Sequence, residues 1–179
     1  MNVPNAVTLA RLVVAAAAFV ALDRGCAWAS FYLFILAAAT DYVDGWLARR
    51  WQQVTPLGRV LDPFADKVLT CGAMILLLEH QAAREILYGW VVVVIVAREF
   101  FVTAVRGVME AAGHPFPADR LGKWKMVSQC IACAGLISLV AGTRFWWWVT
   151  VVSTWLALAL TVVSGAQYLW KARKVLLTR

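Results

Sequence analysis

The sequence predicts an all-α integral membrane protein: a bundle of six transmembrane helices with a polar active-site cavity at the cytoplasmic side. Three observations predict it: an apolar composition, six apolar runs of spanning length, and cations gathered at one set of run ends. Of the 179 residues, 63% are hydrophobic and 15% charged. A soluble domain carries roughly 45–50% apolar and about 25% charged residues. A helix needs about 20 residues to cross about 30 Å of hydrocarbon. The runs Ala6–Leu22, Ala27–Ala48, Gly58–Leu78, Ile86–Glu110, Lys123–Gly142 and Phe145–Lys171 answer to that length. A secretory signal does not account for them, because apolar runs recur to the C-terminus. They fill residues 1–179 as a single transmembrane domain, with no internal repeat and no room for a soluble domain or long linker.

The net charge of +7 is unevenly spread. With the N-terminus inside, the inner ends and loops collect Arg49, Arg50, Arg59, Arg106, Arg120, Lys123, Lys125, Lys171, Arg173, Lys174 and Arg179. The outer loops hold Arg24, Arg84 and Arg144. The positive-inside rule therefore puts both termini in the cytoplasm. Ten tryptophans, with Trp146–Trp148 beside the last outer loop, suit an aromatic interface belt. Cys130 and Cys133 spell a CxxC pair, but they lie mid-span without a second pair or a nearby histidine. Like Cys26 and Cys71, they read as small apolar residues. His80 and His114 read as solvated loop residues.

The polar exception is DYVDGWLARRWQQVTPLGRVLDPFADK, from Asp41 to Lys67. In the second run, Asp41, Asp44, Gly45, Ala48 and Arg49 fall at i, i+3, i+4, i+7 and i+8, one helical stripe. In the third, Asp62 and Asp66 are i and i+4, with Gly58 one turn earlier. Thr55 suits an N-cap and Pro56 a first helical position, so the two runs are antiparallel neighbours across a short turn. All four carboxylates can then meet at one depth, near the cytoplasmic face.

Four carboxylates clustered at a membrane each cost several kcal/mol unless they are protonated, paired with cations or bound to metal. Oxygen-only ligands favour a hard divalent ion, Mg²⁺ or Mn²⁺, over zinc. Two such ions match four negative charges and keep open positions for phosphate oxygens. Structural ion pairs of Asp41 or Asp44 with Arg49 or Arg50 are the plainer alternative. They do not explain why Gly45, Ala48 and Gly58 share the acidic face, where small residues let a diphosphate or nucleotide approach the backbone.

The pattern Asp41-x2-Asp44-Gly45-x2-Ala48-Arg49-x8-Gly58-x3-Asp62-x3-Asp66 resembles the signature of the CDP-alcohol phosphatidyltransferase family. The resemblance runs over the whole chain. The segments NVPNAVTLAR, AREFFVTAVR and GKWKMVSQ are most similar to the bacterial members that use glycerol phosphate. Met126 departs from them, standing where they often carry threonine. The resemblance implies transfer of a phosphatidyl group from CDP-diacylglycerol to sn-glycerol 3-phosphate with release of CMP. It implies Asp41, Asp44, Asp62 and Asp66 as ligands of two Mg²⁺ or Mn²⁺ ions, and Asp66 also as the base for the attacking hydroxyl. Gly45, Ala48, Arg49 and Gly58 would cradle the cytidine diphosphate. The implied setting is the bacterial inner membrane, with membrane lipid around a homodimer and no nucleic-acid partner.

The two substrates together bring roughly three to four negative charges at neutral pH, more than Arg49 balances alone. Arg98 and Arg106, at i and i+8 of the fourth run, and Lys123 and Lys125 at the start of the fifth, are the expected glycerol-phosphate ligands. Arg11 is a further candidate. Lys123, Lys125 and Arg120 equally suit plain topology-setting charges. Arg98 lies well inside its run, where an unpaired arginine is expensive, so it is expected to face the polar cavity while Glu99 points elsewhere. The signature leaves open a different acceptor: serine, inositol phosphate or phosphatidylglycerol. A divalent-cation or proton-coupled transporter is the rival from another class; it would place its carboxylates near mid-bilayer, in repeated halves.

Overall fold

The computed structural model describes residues 3–51, 56–111 and 120–176, with side chains described for all of these except 3–5, 41–51, 56–60, 62, 111, 120, 172 and 174–176. Among the described residues the chain is all helical. The helices are α1 (Val3–Asp23), α2 (Ala27–Trp51), α3 (Pro56–Leu77), α4 (Gln81–Arg84), α5 (Gly89–Ala111), α6 (Arg120–Val140) and α7 (Trp147–Leu176). Each of the six apolar runs thus overlaps one long helix. Two of them, α1 over Ala6–Asp23 and α7 over Trp147–Lys171, are long and apolar enough to cross a membrane, and Ala27–Thr40 is a shorter apolar stretch.

The helix ends follow local chemistry. Pro56 opens α3, where its missing N–H leaves no intrahelical bond unmade. Gly25 and Gly142 take positive φ (76° and 87°) just past α1 and α6. Cys26 N bonds Ala21 O while Gly25 N bonds Leu22 O, and Thr143 N bonds Ser138 O while Gly142 N bonds Leu139 O. Both are the double bond pattern that closes a helix on a left-handed glycine. The fourth run was expected to begin at Ile86, but α5 begins at Gly89. The one-turn α4 and the bend after it come first, burying Ile86 and Leu87 in the core.

Helix α1 packs on α2 and α3, α6 on α7, α2, α3 and α4, and α5 on α7 and α3. The apolar core includes Leu22, Phe34, Met74, Leu77, Leu87, Val91, Leu136 and Ile137. These lie at the end of α1, α3 and α6, the start of α2 and α5 and, for Leu87, the bend before α5, so the core fills one end of the bundle. Helix α7 has the inverted pattern suited to lipid surroundings. Thr150, Ser153, Thr154, Thr161 and Ser164 are buried, whereas Trp148, Val152, Leu156, Val162 and Val163 are exposed. The buried hydroxyls bond carbonyls on their own helix, as Thr150 does to Trp146 O (2.9 Å) and Thr154 to Thr150 O (2.7 Å). Cys133 is buried, as expected of a small apolar residue, and its sulfur reaches Thr70 O; all four cysteines are free thiols, Cys71 buried and Cys26 exposed.

Candidate active site

Away from the apolar core, α3, α5, α6 and α7 enclose a cavity of about 310 Å³. Helix α3 supplies Asp66, Lys67 and Thr70; α5 supplies Arg98, Glu99, Thr103 and Arg106; α6 supplies Lys123, Lys125, Met126 and Gln129; α7 supplies Tyr168. The described lining therefore carries five cations and two carboxylates, Asp66 and Glu99. A space of that sign attracts an anion with more than one charge.

Most of these charged side chains have a defined partner. Asp66 Oδ1 accepts from Nη1 of Arg11 at 2.9 Å, and Arg11 comes from α1 with a side chain only 1% exposed. Arg98 donates through Nη2 to Ser164 Oγ (2.8 Å) and through Nη1 to Glu99 Oε1 (3.3 Å). Arg106 Nη2 donates to Tyr168 OH at 2.6 Å. Lys125 Nζ donates to the same Glu99 Oε1, joining α6 to α5 through a buried ion pair. Lys67 instead curls back on α3, bonding Pro63 O at 3.0 Å. Lys123 is exposed at the cavity rim while Lys125, two residues on, is buried. A helix turns two adjacent-but-one positions about 200° apart, which is why one lysine meets water and the other meets Glu99.

Of the residues singled out from sequence, Asp66, Arg98, Arg106, Lys123 and Lys125 line this one cavity. Arg11, named as a further candidate, stands behind Asp66. Asp41, Asp44, Gly45, Ala48 and Arg49 fall on α2 and Gly58 and Asp62 on α3, with side chains outside the described ones. One expectation is corrected. Glu99 does not point away from the cavity; its carboxylate lies between Arg98 and Lys125. Adjacent positions on a helix differ by about 100°, and the cavity is wide enough for both to face it. Tyr168, Ser164 and Gln129 were missed. Their signal was legible as Thr154, Thr161, Ser164 and Tyr168 recurring at helical spacing through an apolar helix.

A family model described as CDP-alcohol phosphatidyltransferase matches residues 1–163. The chain belongs to the CDP-alcohol phosphatidyltransferase family. It is 34% identical to the Bacillus subtilis CDP-diacylglycerol–glycerol-3-phosphate 3-phosphatidyltransferase, over 97% of each chain. It is 35% identical to the enzyme of that name from Haemophilus influenzae, over 81% of this chain and 77% of the relative. The Sodalis glossinidius protein of the same name is 33% identical, over 97% and 96%.

The CDP-alcohol phosphatidyltransferase family is generally dependent on a divalent metal. The donor set fits such an ion by its chemistry. Asp41 and Asp44 are three positions apart in the sequence of α2, and Asp62 and Asp66 four apart in that of α3. Hard oxygen donors with no sulfur or imidazole suit Mg²⁺ or Mn²⁺.

Proposed function

We propose that this chain transfers the phosphatidyl group of CDP-diacylglycerol to sn-glycerol 3-phosphate, giving phosphatidylglycerophosphate and CMP. The observation that carries this reading is the gathering of Arg98, Arg106, Lys123 and Lys125 around one cavity whose wall also holds Asp66. A phosphorylated alcohol needs both: cations for its phosphate and a carboxylate for its hydroxyl.

Asp41, Asp44, Asp62 and Asp66 would hold two Mg²⁺ or Mn²⁺ ions, whose bound charge offsets that of the diphosphate as CMP departs. Gly45, Ala48 and Gly58 leave space on the acidic stripe for the cytidine diphosphate, and Arg49 pairs with its phosphates. The cations of α5 and α6 bind the phosphate of glycerol 3-phosphate and orient its C1 hydroxyl toward Asp66. Asp66 takes the hydroxyl proton. The freed oxygen bonds to the β-phosphorus, and the bond from that phosphorus to the CMP oxygen breaks, with the electron pair leaving on CMP. The Arg11 contact fixes the orientation of the Asp66 carboxylate at the cavity wall.

All six long helices then cross the bacterial inner membrane as one domain spanning 1–179. Both termini and the cavity face the cytoplasm, where glycerol 3-phosphate is dissolved, and the protein is a homodimer surrounded by membrane lipid. The inner-end cluster of Lys and Arg supports that orientation. The deciding experiment incubates purified protein with CDP-diacylglycerol, Mg²⁺ and a panel of alcohols and measures CMP. Glycerol 3-phosphate should dominate; comparable CMP release with serine, inositol phosphate or phosphatidylglycerol would transfer the assignment to that acceptor.

A further inference from the structure

Among the described residues α7 carries no charge into the cavity wall, yet it touches both α5 arginines. Ser164 is 1% exposed, and its Oγ accepts from Arg98 Nη2 at 2.8 Å. The serine proton is directed at the carbonyls of Leu160 and Thr161, which leaves oxygen lone pairs to face the guanidinium. Beside it, a Cβ added to Gly165 would lie 3.1 Å from Arg98 Cγ and 3.6 Å from its Nε. Glycine therefore lets the arginine stem lie against the helix backbone. One turn on, Tyr168 is 3% exposed and its hydroxyl accepts from Arg106 Nη2 at 2.6 Å. The tyrosine ring lies 5.8 Å from the guanidinium carbon of Arg98 and 5.6 Å from that of Arg106. One ring thus serves both arginines, at a separation where cation–π attraction operates.

Anchoring of this kind fixes a guanidinium without using up its donors. Each arginine has five N–H groups. Nε of Arg98 and Nε of Arg106 are buried without a hydrogen-bond partner among the described residues. Buried donors left unbonded are costly and uncommon, so both arginines keep donor capacity beyond their α7 contacts. Ser164, Gly165 and Tyr168 all lie beyond residue 163, where the match to the family's model ends.

We propose that Ser164, Gly165 and Tyr168 are positioning residues, which hold Arg98 and Arg106 for the acceptor's phosphate and make α7 a determinant of acceptor choice. This role rests on the cavity being the glycerol-phosphate site. The residues act through the arginines, so their loss should appear in the acceptor's KM and not in that of the lipid substrate.

The test measures CMP release by the purified full-length protein, varying glycerol 3-phosphate and CDP-diacylglycerol separately, alongside thermal melting. Ser164→Ala and Tyr168→Phe each delete one acceptor of an arginine bond. Each should raise the KM for glycerol 3-phosphate about tenfold, while the KM for CDP-diacylglycerol stays within about twofold. Ser164→Thr keeps the hydroxyl and should restore the parent value; Gly165→Ala should fall between. An equal rise in both KM values, or failure of Ser164→Thr to rescue, would overturn the proposal, as would unchanged KM values in Ser164→Ala and Tyr168→Phe. The parent enzyme separates the two levels. If it does not use glycerol 3-phosphate, the acceptor assignment fails; if it does and the variants match it, only the α7 role fails.

Discussion

Arg11 Nη1 meets Asp66 Oδ1 at 2.9 Å, joining α1 to α3 across 55 positions of sequence, with the arginine side chain almost wholly enclosed. Removing one member of such a pair strands the other charge, at a cost of about 3–5 kcal/mol where both are buried. Asp66 is 29% exposed, which moderates that figure. Arg11→Ala should therefore lower the melting temperature and depress CMP release. In an Asp66→Asn background the same substitution should cost clearly less stability, because no carboxylate remains to be stranded. Additive losses in the double variant would show that Arg11 contributes independently of Asp66.

Metal dependence tests the acidic stripe. CMP release should vanish in EDTA and return with Mg²⁺ or Mn²⁺. Asn at Asp41, Asp44 or Asp62 should cost both activity and metal affinity. Asp66→Asn should lose turnover by about 100-fold or more, a typical general-base contribution, while binding metal better than Asp41→Asn does. Equal loss of metal by those two variants would remove the separate base role.

The two ends of the substrate pair should separate kinetically. Arg106 lines the cavity with Tyr168 behind it, so Arg106→Ala should raise the KM for glycerol 3-phosphate about tenfold or more. Arg49→Ala should instead weaken CDP-diacylglycerol, because Arg49 falls on the acidic stripe of α2. Glycerol itself should be a very poor acceptor for the parent enzyme, since it leaves the cavity's cations without a counter-anion. Identical KM profiles for the two variants would mean that the cations do not divide between substrates.

Sequence reasoning reached the helices because each apolar run is long and its stops are local, as at Gly25 and Gly142. It reached Arg98 because a charge deep in an apolar helix has few tolerable surroundings. It did not reach the Arg11–Asp66 and Arg106–Tyr168 pairs, which depend on which helices become neighbours, and periodicity within one helix carries no information about that. It also misplaced Glu99. Helical phase alone turned Glu99 away from Arg98, but the carboxylate meets both Arg98 and Lys125 of α6 in the cavity wall. The start of α5 moved for a similar reason: Ile86 and Leu87 are apolar enough to extend a span, yet they fill the core from a bend.

Glu99 stands out, since a carboxylate in a cavity proposed to bind phosphate should repel the ligand. Its contacts resolve the difficulty. Oε1 engages both Lys125 and Arg98, so it is the negative charge that makes a buried lysine tolerable. Glu99→Gln keeps the shape and removes that charge. The variant should melt at lower temperature than the parent, because Lys125 and Arg98 then lie close together with no shared counter-ion. An added dianion can supply the missing negative charge, so glycerol 3-phosphate should raise the variant's melting temperature by more than it raises the parent's. Melting curves with and without glycerol 3-phosphate, with glycerol as the uncharged control, decide the matter. A smaller rise in Glu99→Gln than in the parent would show that Glu99 is needed to hold Lys125 in a binding position, and that charge compensation is not its main role.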